Sequence, residues 1–298
     1  MVNSVSATWQ SLPEHFKKSV IEKLDLKSRA SLQRCSKNDH ALVSRCPIHL
    51  ESLEIFFPPA KGVTLKIQKR SLNLPAVPDI VRFLQLPRLQ IQELTILSSA
   101  TRFYQIPHLI SQLKSSEKNF KIRAKSLFWR CTPEDKADDF MEFLTLFDMV
   151  FLETIHNDMC KFSMEQMMKL GEMEQWRNCK EIHLANGRVD TVDQFLNAEK
   201  CTVLFEKLEA EHIWKMIQTF LSGDVPIGSF FHFQSENPPK LVDVFKTYNI
   251  LPKHQPIIPD DIGVVGRHTQ RFKMTTSGKF LAVRNTEIGV RGDVLKVE

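Results

Sequence analysis

The chain has 298 residues, 42% of them hydrophobic and 25% charged, ordinary globular usage and too apolar for a largely disordered protein. Its 40 Lys and Arg against 35 Asp and Glu give a net charge of +5, mildly basic and below what a dedicated nucleic-acid binder carries. With 10 Gly, 15 Pro and no fixed glycine period, collagen-like and linker-like chains are excluded too.

The first fifty residues read as a compact helical unit. Ser11 stands at capping-box spacing from Glu14, and Pro13 falls in the first turn, where its missing N–H costs nothing. Phe16, Val20, Ile21 and Leu24 then share one stripe at helical spacing. A break at Asp25-Leu26-Lys27 leads to a second helix with Ala30, Leu32 and Cys35. Asp39 is placed to cap a third through Ala41, Leu42 and Val43, ended before Pro47.

From about Leu50 a motif of the form apolar-x-x-apolar-x-apolar recurs, ending at Ile55, Ile96, Trp129 and Leu184, with weaker echoes ending at Ile155 and Leu208. Such alternation predicts short strands with one buried face. Helical patterns lie between them. Thr132-Pro133-Glu134 opens one that carries Phe140, Phe143, Leu144 and Phe147. Ser163 and Gln166 suit a capping box ahead of Met167, Met168 and Leu170, and Thr191 and Gln194 suit another ahead of Phe195 and Leu196. The Met167-Met168 pair reads as core filler. A helix from His212 to Leu221 stops at Gly223.

Ile155, Ile182 and Leu208 are spaced within the roughly 20–29 residues of leucine-rich repeats, whereas Leu53, Leu94 and Leu127 lie further apart. The fold class expected is therefore α/β: three N-terminal helices, then an irregular strand–helix, leucine-rich-repeat-like solenoid. An ordinary α/β domain with similar edge strands is the plainer alternative. Pro252, Pro256 and Pro259 mark a connector. Arg271–Thr275, Phe280–Arg284 and Val294–Val297 then form an antiparallel strand unit with a turn at Ser277-Gly278, closing the end of the stack.

No catalytic motif is present, and Gly278-Lys279 is an isolated dipeptide that cannot cradle phosphate. Cys46 with His49, and Cys35 with His40, lack the paired spacing of zinc sites, so no metal or cofactor is expected. Glu134, Asp135, Asp138 and Asp139 read as charges complementing a helix start. Lys61, Lys66, Lys69 and Arg70 lack aromatic interleaving and read as a solvated loop, so no nucleic-acid partner is expected. A nucleophile among Cys131, Cys160 or Cys179 would need a histidine brought close by the fold. The scattered cysteines, the polar start Met1–Trp9 and the interrupted apolar stretch Phe140–Leu152 point away from disulfides, a signal peptide and a membrane span. A cytoplasmic or nuclear setting follows.

Leu12-Pro13-Glu14, the stripe of Val20, Ile21 and Leu24, then Lys27 to Leu32 and Arg34-Cys35-Ser36-Lys37, taken together, resemble an F-box. His15-Phe16 stands where many members place an aliphatic residue. The run Glu174-Gln175-Trp176-Arg177-Asn178-Cys179-Lys180-Glu181-Ile182 is similar to the FTH-type domain that follows the F-box in a large nematode family. The resemblance divides the chain into an F-box at 8–50, a connecting strand and helix region at 51–120 and an FTH-type, repeat-like region at 121–298.

What the resemblance implies is a substrate receptor of an SCF-type ubiquitin ligase. The F-box would dock on a Skp-type adaptor, and through it on a cullin–RING scaffold, while the later region holds an unknown protein target. Leu12, Pro13, Phe16, Val20, Ile21, Leu24, Leu32 and Cys35 are the candidate adaptor-binding residues, with Leu12 and Pro13 expected to face outward. Such a receptor performs no chemistry itself. The alternative is a repeat-like interaction scaffold or inhibitor acting outside any ligase.

Overall fold

The computed structural model describes residues 8–58, 62–67, 70–74, 76–99, 104–116, 120–131, 137–250, 269–275 and 278–297. Pro252, Pro256, Pro259, Glu134, Asp135, Lys61, Lys69 and Ser277 lie outside them.

The N-terminal helices are α1 (Glu14–Lys23), α2 (Leu26–Gln33) and α3 (Lys37–Arg45). Their caps differ in part from those the sequence suggests. Ser11 belongs to a preceding 3-10 turn, Trp9–Ser11, where its hydroxyl bonds the Thr8 carbonyl at 2.8 Å. Glu14, free of any capping role, pairs with Lys18 at 2.8 Å. Pro13 is the N-cap itself, its carbonyl accepting from the Phe16 and Lys17 amides. Asp25 caps α2 by accepting from the Ser28 amide at 2.8 Å, and Cys35 lies beyond that helix. Ser36, not Asp39, caps α3. Asp39 sits in its first turn, where the Trp9 indole at 2.8 Å and the Ser36 hydroxyl at 2.7 Å hold its carboxyl below the usual range. Ile21, Leu42, Val43 and Cys46 form a small core with Trp9 and Leu32 packed on it.

Two residues separate α3 from β1 (Ile48–Phe57). A hairpin follows, β2 (Val63–Ile67) and β3 (Arg70–Leu74). Then come α4 (Val77–Leu84), β4 (Leu89–Ser98), α5 (Gln105–Ser116), β5 (Ala124–Cys131), α6 (Ala137–Leu144), β6 (Thr154–Asn157), α7 (Met164–Glu172), α8 (Glu174–Arg177), β7 (Glu181–Val189), β8 (Lys200–Phe205), α9 (Ala210–Ser222), β9 (Phe230–Gln234) and α10 (Leu241–Thr247). The last strands are β10 (Thr269–Lys273), β11 (Lys279–Thr286) and β12 (Gly289–Lys296).

Among the described residues these strands form a single twelve-stranded sheet in the order β10-β11-β12-β9-β8-β7-β6-β5-β4-β1-β2-β3. From β1 through β4 to β9, chain order is sheet order and every pairing is parallel. Parallel neighbours require crossover connections, most of which hold helices here. The second and third apolar positions of the motif explain the core. Leu53, Leu94, Leu127, Ile155, Ile182, Cys201 and Phe231 stand in register across the sheet, all essentially inaccessible. Two residues on, Ile55, Ile96, Trp129, Asn157, Leu184, Val203 and Phe233 form a second buried row. Apolar residues of the helices, including Ile80, Leu109, Phe143, Leu170, Ile217 and Val244, join the same core.

Several sequence expectations are corrected. Lys66 lies on β2, 3.7 Å from Glu54, so a hairpin replaces the expected solvated loop. Leu208 is not on a strand; Cys201 of β8 holds the corresponding register, and β9 was not anticipated. Thr191 bonds Asp193 in a 3-10 turn instead of capping a helix with Gln194. Met167 is buried as expected, but Met168 is 56% exposed, because the two successive side chains point to different faces of α7. Ser163 and Gln166 do form the expected capping box, at 2.9 and 3.2 Å.

The C-terminal strands are antiparallel as expected, and they extend the main sheet through β12 and β9. That junction needs glycine. A Cβ on Gly292 would stand 2.2 Å from the Phe231 ring, and one on Gly289 would stand 1.9 Å from the Phe233 carbonyl oxygen.

Candidate functional site

The face of the sheet opposite the core carries the polar alternates of each strand. Side chains two apart share a face, and register sets them beside their neighbours. One row runs Glu54, Thr95, Phe128, His156, His183, Thr202, His232 and Arg291. The row beneath runs Ser52, Glu93, Ser126, Thr154, Glu181, Lys200, Phe230 and Asp293.

The middle of this face is a stack of rings. Phe128 lies on His156 with centroids 4.4 Å apart, and His156 lies on His183 at 4.2 Å with the planes 4° apart. Burial, with the neighbouring His183 adding to it, pushes His156 down to about 4, so the ring is neutral at neutral pH. Glu181 Oε1 accepts a hydrogen bond from His183 Nε2 at 2.8 Å, while Lys200 stands 3.7 Å from its other oxygen. Burial alone would raise the Glu181 carboxyl; the His183 contact and the Lys200 charge outweigh it and hold it below the usual range. Donor atoms of His156, Glu181 and His183 all lie within 4.8 Å of one another, so this trio could hold a metal ion.

Toward β12 the face turns basic and aromatic. The Arg291 guanidinium sits 4.6 Å from the Phe230 ring centre, and Asp293 pairs with Arg291 at 2.9 Å and with Arg284 at 3.1 Å. None of these open-face residues is a candidate site residue in the sequence. A usable signal existed: His156 and His183 each directly follow the buried isoleucine of their strand, Ile155 and Ile182, the same position of the recurring motif.

The second surface is on the helical unit. Pro13, Phe16 and Cys35 are exposed, with Phe16 at 49%. Leu12, Val20, Leu24 and Leu32 are half-buried, and Ile21 is wholly buried in the unit's core. Leu12, Pro13 and Phe16 cluster at the start of α1, whereas Leu32 lies at the end of α2 and Cys35 just beyond it.

Burial raises the thiols of Cys131, Cys179 and Cys201 above the ordinary range. A thiol kept protonated is a poor nucleophile. Among the described residues no helix is long and apolar enough to cross a membrane.

Comparison with known proteins matches residues 9–51 to the F-box domain and residues 106–248 to the FTH domain. An uncharacterized F-box protein of Caenorhabditis elegans is 25% identical over 214 residues, covering 71% of this chain and 51% of that protein. The chain thus spans about half the length of this curated relative. No solved structure matches it. The three helices at 9–51 and the strand–helix units at 106–248 coincide with these matches, so the chain carries an F-box followed by an FTH domain and is similar to a nematode F-box protein.

Proposed function

We propose that this protein is the substrate-recognition subunit of an SCF-type ubiquitin ligase, working in the cytoplasm or nucleus. The observation that carries the reading is the F-box match over residues 9–51, folded as three helices with apolar side chains left at the surface. The unit at 8–50 docks on a Skp-type adaptor, which joins it to a cullin–RING scaffold. Leu12, Pro13, Phe16, Val20, Leu24, Leu32 and Cys35 form the contact, and Ile21 supports it from within. A core of four buried apolar side chains is small for a free-standing unit, and adaptor binding adds to it.

Residues 51–120 join the F-box to a target-binding region at 121–298. The parallel strands in chain order support a leucine-rich-repeat-like solenoid, and its open face is where a protein target binds. The stacked rings and the Arg291–Phe230 pair suit a polypeptide surface, since such amphipathic groups supply contact area together with hydrogen bonding. The protein contributes no catalysis; holding the target near a charged ubiquitin carrier raises the effective concentration of its lysines. No cofactor, nucleic acid or membrane enters this reading.

Copurification with a Skp-type adaptor tests it. Wild-type protein is expected to retain the adaptor, and a Leu12→Ala, Pro13→Ala double variant to lose it with its circular dichroism unchanged. Failure of the wild-type chain to retain adaptor leaves an interaction scaffold outside any ligase.

A further inference from the structure

We propose that His156, Glu181 and His183 form a binding site for a divalent transition ion of the zinc type on the open face of the sheet. Glu181 and His183 are two apart on β7 and project from the same face, and His156 on β6 is the register partner of His183. Backbone pairing therefore fixes three donors around one point. Their ligand atoms lie within 4.8 Å of one another, and all three side chains are half-buried, neither sealed in the core nor loose at the surface.

The donor set suits the ion. Two imidazoles and one carboxylate are a recognised zinc ligand set in sites that keep the fourth position open. Metal–donor bonds of about 2.0–2.2 Å put tetrahedral donors roughly 3.3 Å apart, so no pair here needs to close by more than about 1.5 Å on binding. The histidine rings are stacked 4.2 Å apart with planes 4° from parallel, so their lone pairs, which lie in the ring planes, do not yet converge on one point. Rotation about χ2, a broad torsion for histidine, makes them converge. The ion then takes the place of the contact between Glu181 and His183 at 2.8 Å. Lys200, 3.7 Å from the second carboxylate oxygen, and Phe128, stacked on His156, hold the outer sides of the ligands. Outer-shell partners of this sort orient ligands and tune affinity.

The test uses the full chain stripped with EDTA. Titration with Co²⁺ should give a saturable ligand-field absorption from nitrogen and oxygen donors at one ion per chain, displaced by Zn²⁺. His156→Phe keeps a ring against Phe128 while deleting a donor, and Glu181→Gln keeps the side-chain shape while deleting the carboxylate. Each should weaken binding by more than the ~10–100-fold that loss of an outer-shell partner brings, with circular dichroism unchanged. Should His156→Phe fail to fold, Glu181→Gln decides alone. The site is overturned by the absence of a saturable band in the wild type, by unchanged affinity in a folded variant, or by sulfur-to-cobalt charge transfer showing that the ion sits at cysteine.

Discussion

Phe16 and Ile21 lie on the same helix, and truncating each to alanine should have opposite consequences. Phe16 is 49% exposed and Ile21 is 0% exposed. A phenylalanine buries about 150–250 Å² when fully covered, so roughly 100 Å² of Phe16 is left for a partner to cover. At ~25 cal/mol per Å² that area is worth about 2.5 kcal/mol. Alanine keeps the Cβ, which brings the loss to about 2 kcal/mol, or roughly thirtyfold in Kd for the adaptor. The fold should lose no more than about 1 kcal/mol. Ile21→Ala instead removes one of four buried side chains from the small core, a change that costs about 2–5 kcal/mol and should melt the helical unit. Titration calorimetry against purified adaptor, with amide exchange over residues 9–51, separates the two effects. If Phe16→Ala binds within twofold of wild type, the exposed start of α1 is not the docking face and the reasoning fails.

Two further predictions concern the far end of the sheet. Gly292→Ala drives a methyl group into the Phe231 ring, 2.2 Å from where its Cβ would stand; such overpacking should cost roughly 1–3 kcal/mol and lower Tm in a thermal scan, and an unchanged Tm would show that β9 and β12 can separate without loss. Burial, reinforced by the Arg291 charge, pushes His232 down to about 4 from an ordinary value of 6.5. Between those values the unfolded chain binds more protons than the folded one, so this contribution is intact above about pH 6.5 and is lost as pH falls toward 4. His232→Gln should flatten the fall in urea midpoint from pH 7 to pH 4.5, and equal slopes in the two proteins would remove His232 as a cause.

The strand motif was legible wherever its first position held a large aliphatic residue, as in Leu50–Ile55 and Ile91–Ile96. It was missed at β8, where Ala198 and Cys201 are both small, and at β9, where Gly228 has no side chain; at β5 Ala124 also stands first, but Leu127 and Trp129 behind it carry the hydrophobic signal. Cap assignment failed for a different reason. Ser36 and Asp39 are both good caps three residues apart; the Ser36 hydroxyl accepts from the Asp39 amide at 3.0 Å, the [ST]-x-x-[DE] spacing that marks Ser36 as the cap, while Asp39 also accepts from the distant Trp9 indole. The open face was legible only as polar alternates. Which of them meet depends on register between strands far apart in sequence, and His156 and His183 become neighbours only through β6 and β7.

Where α3 meets β1, the main chain allows no swivel. Only Cys46 and Pro47 intervene, Arg29 is buried with its guanidinium on the Pro47 carbonyl at 2.8 Å, and Arg88, from the turn before β4, bonds the Arg45 carbonyl while its own carbonyl accepts from the Ile48 amide at 3.2 Å. A ligase assembled on this F-box would therefore hold its sheet at a set angle, like a jig that presents every workpiece in one pose. Under the proposed function, the lysine modified on a target is selected by geometry: those within reach of the fixed arm receive ubiquitin, and a lysine on the target's far side does not, however accessible it is in solution.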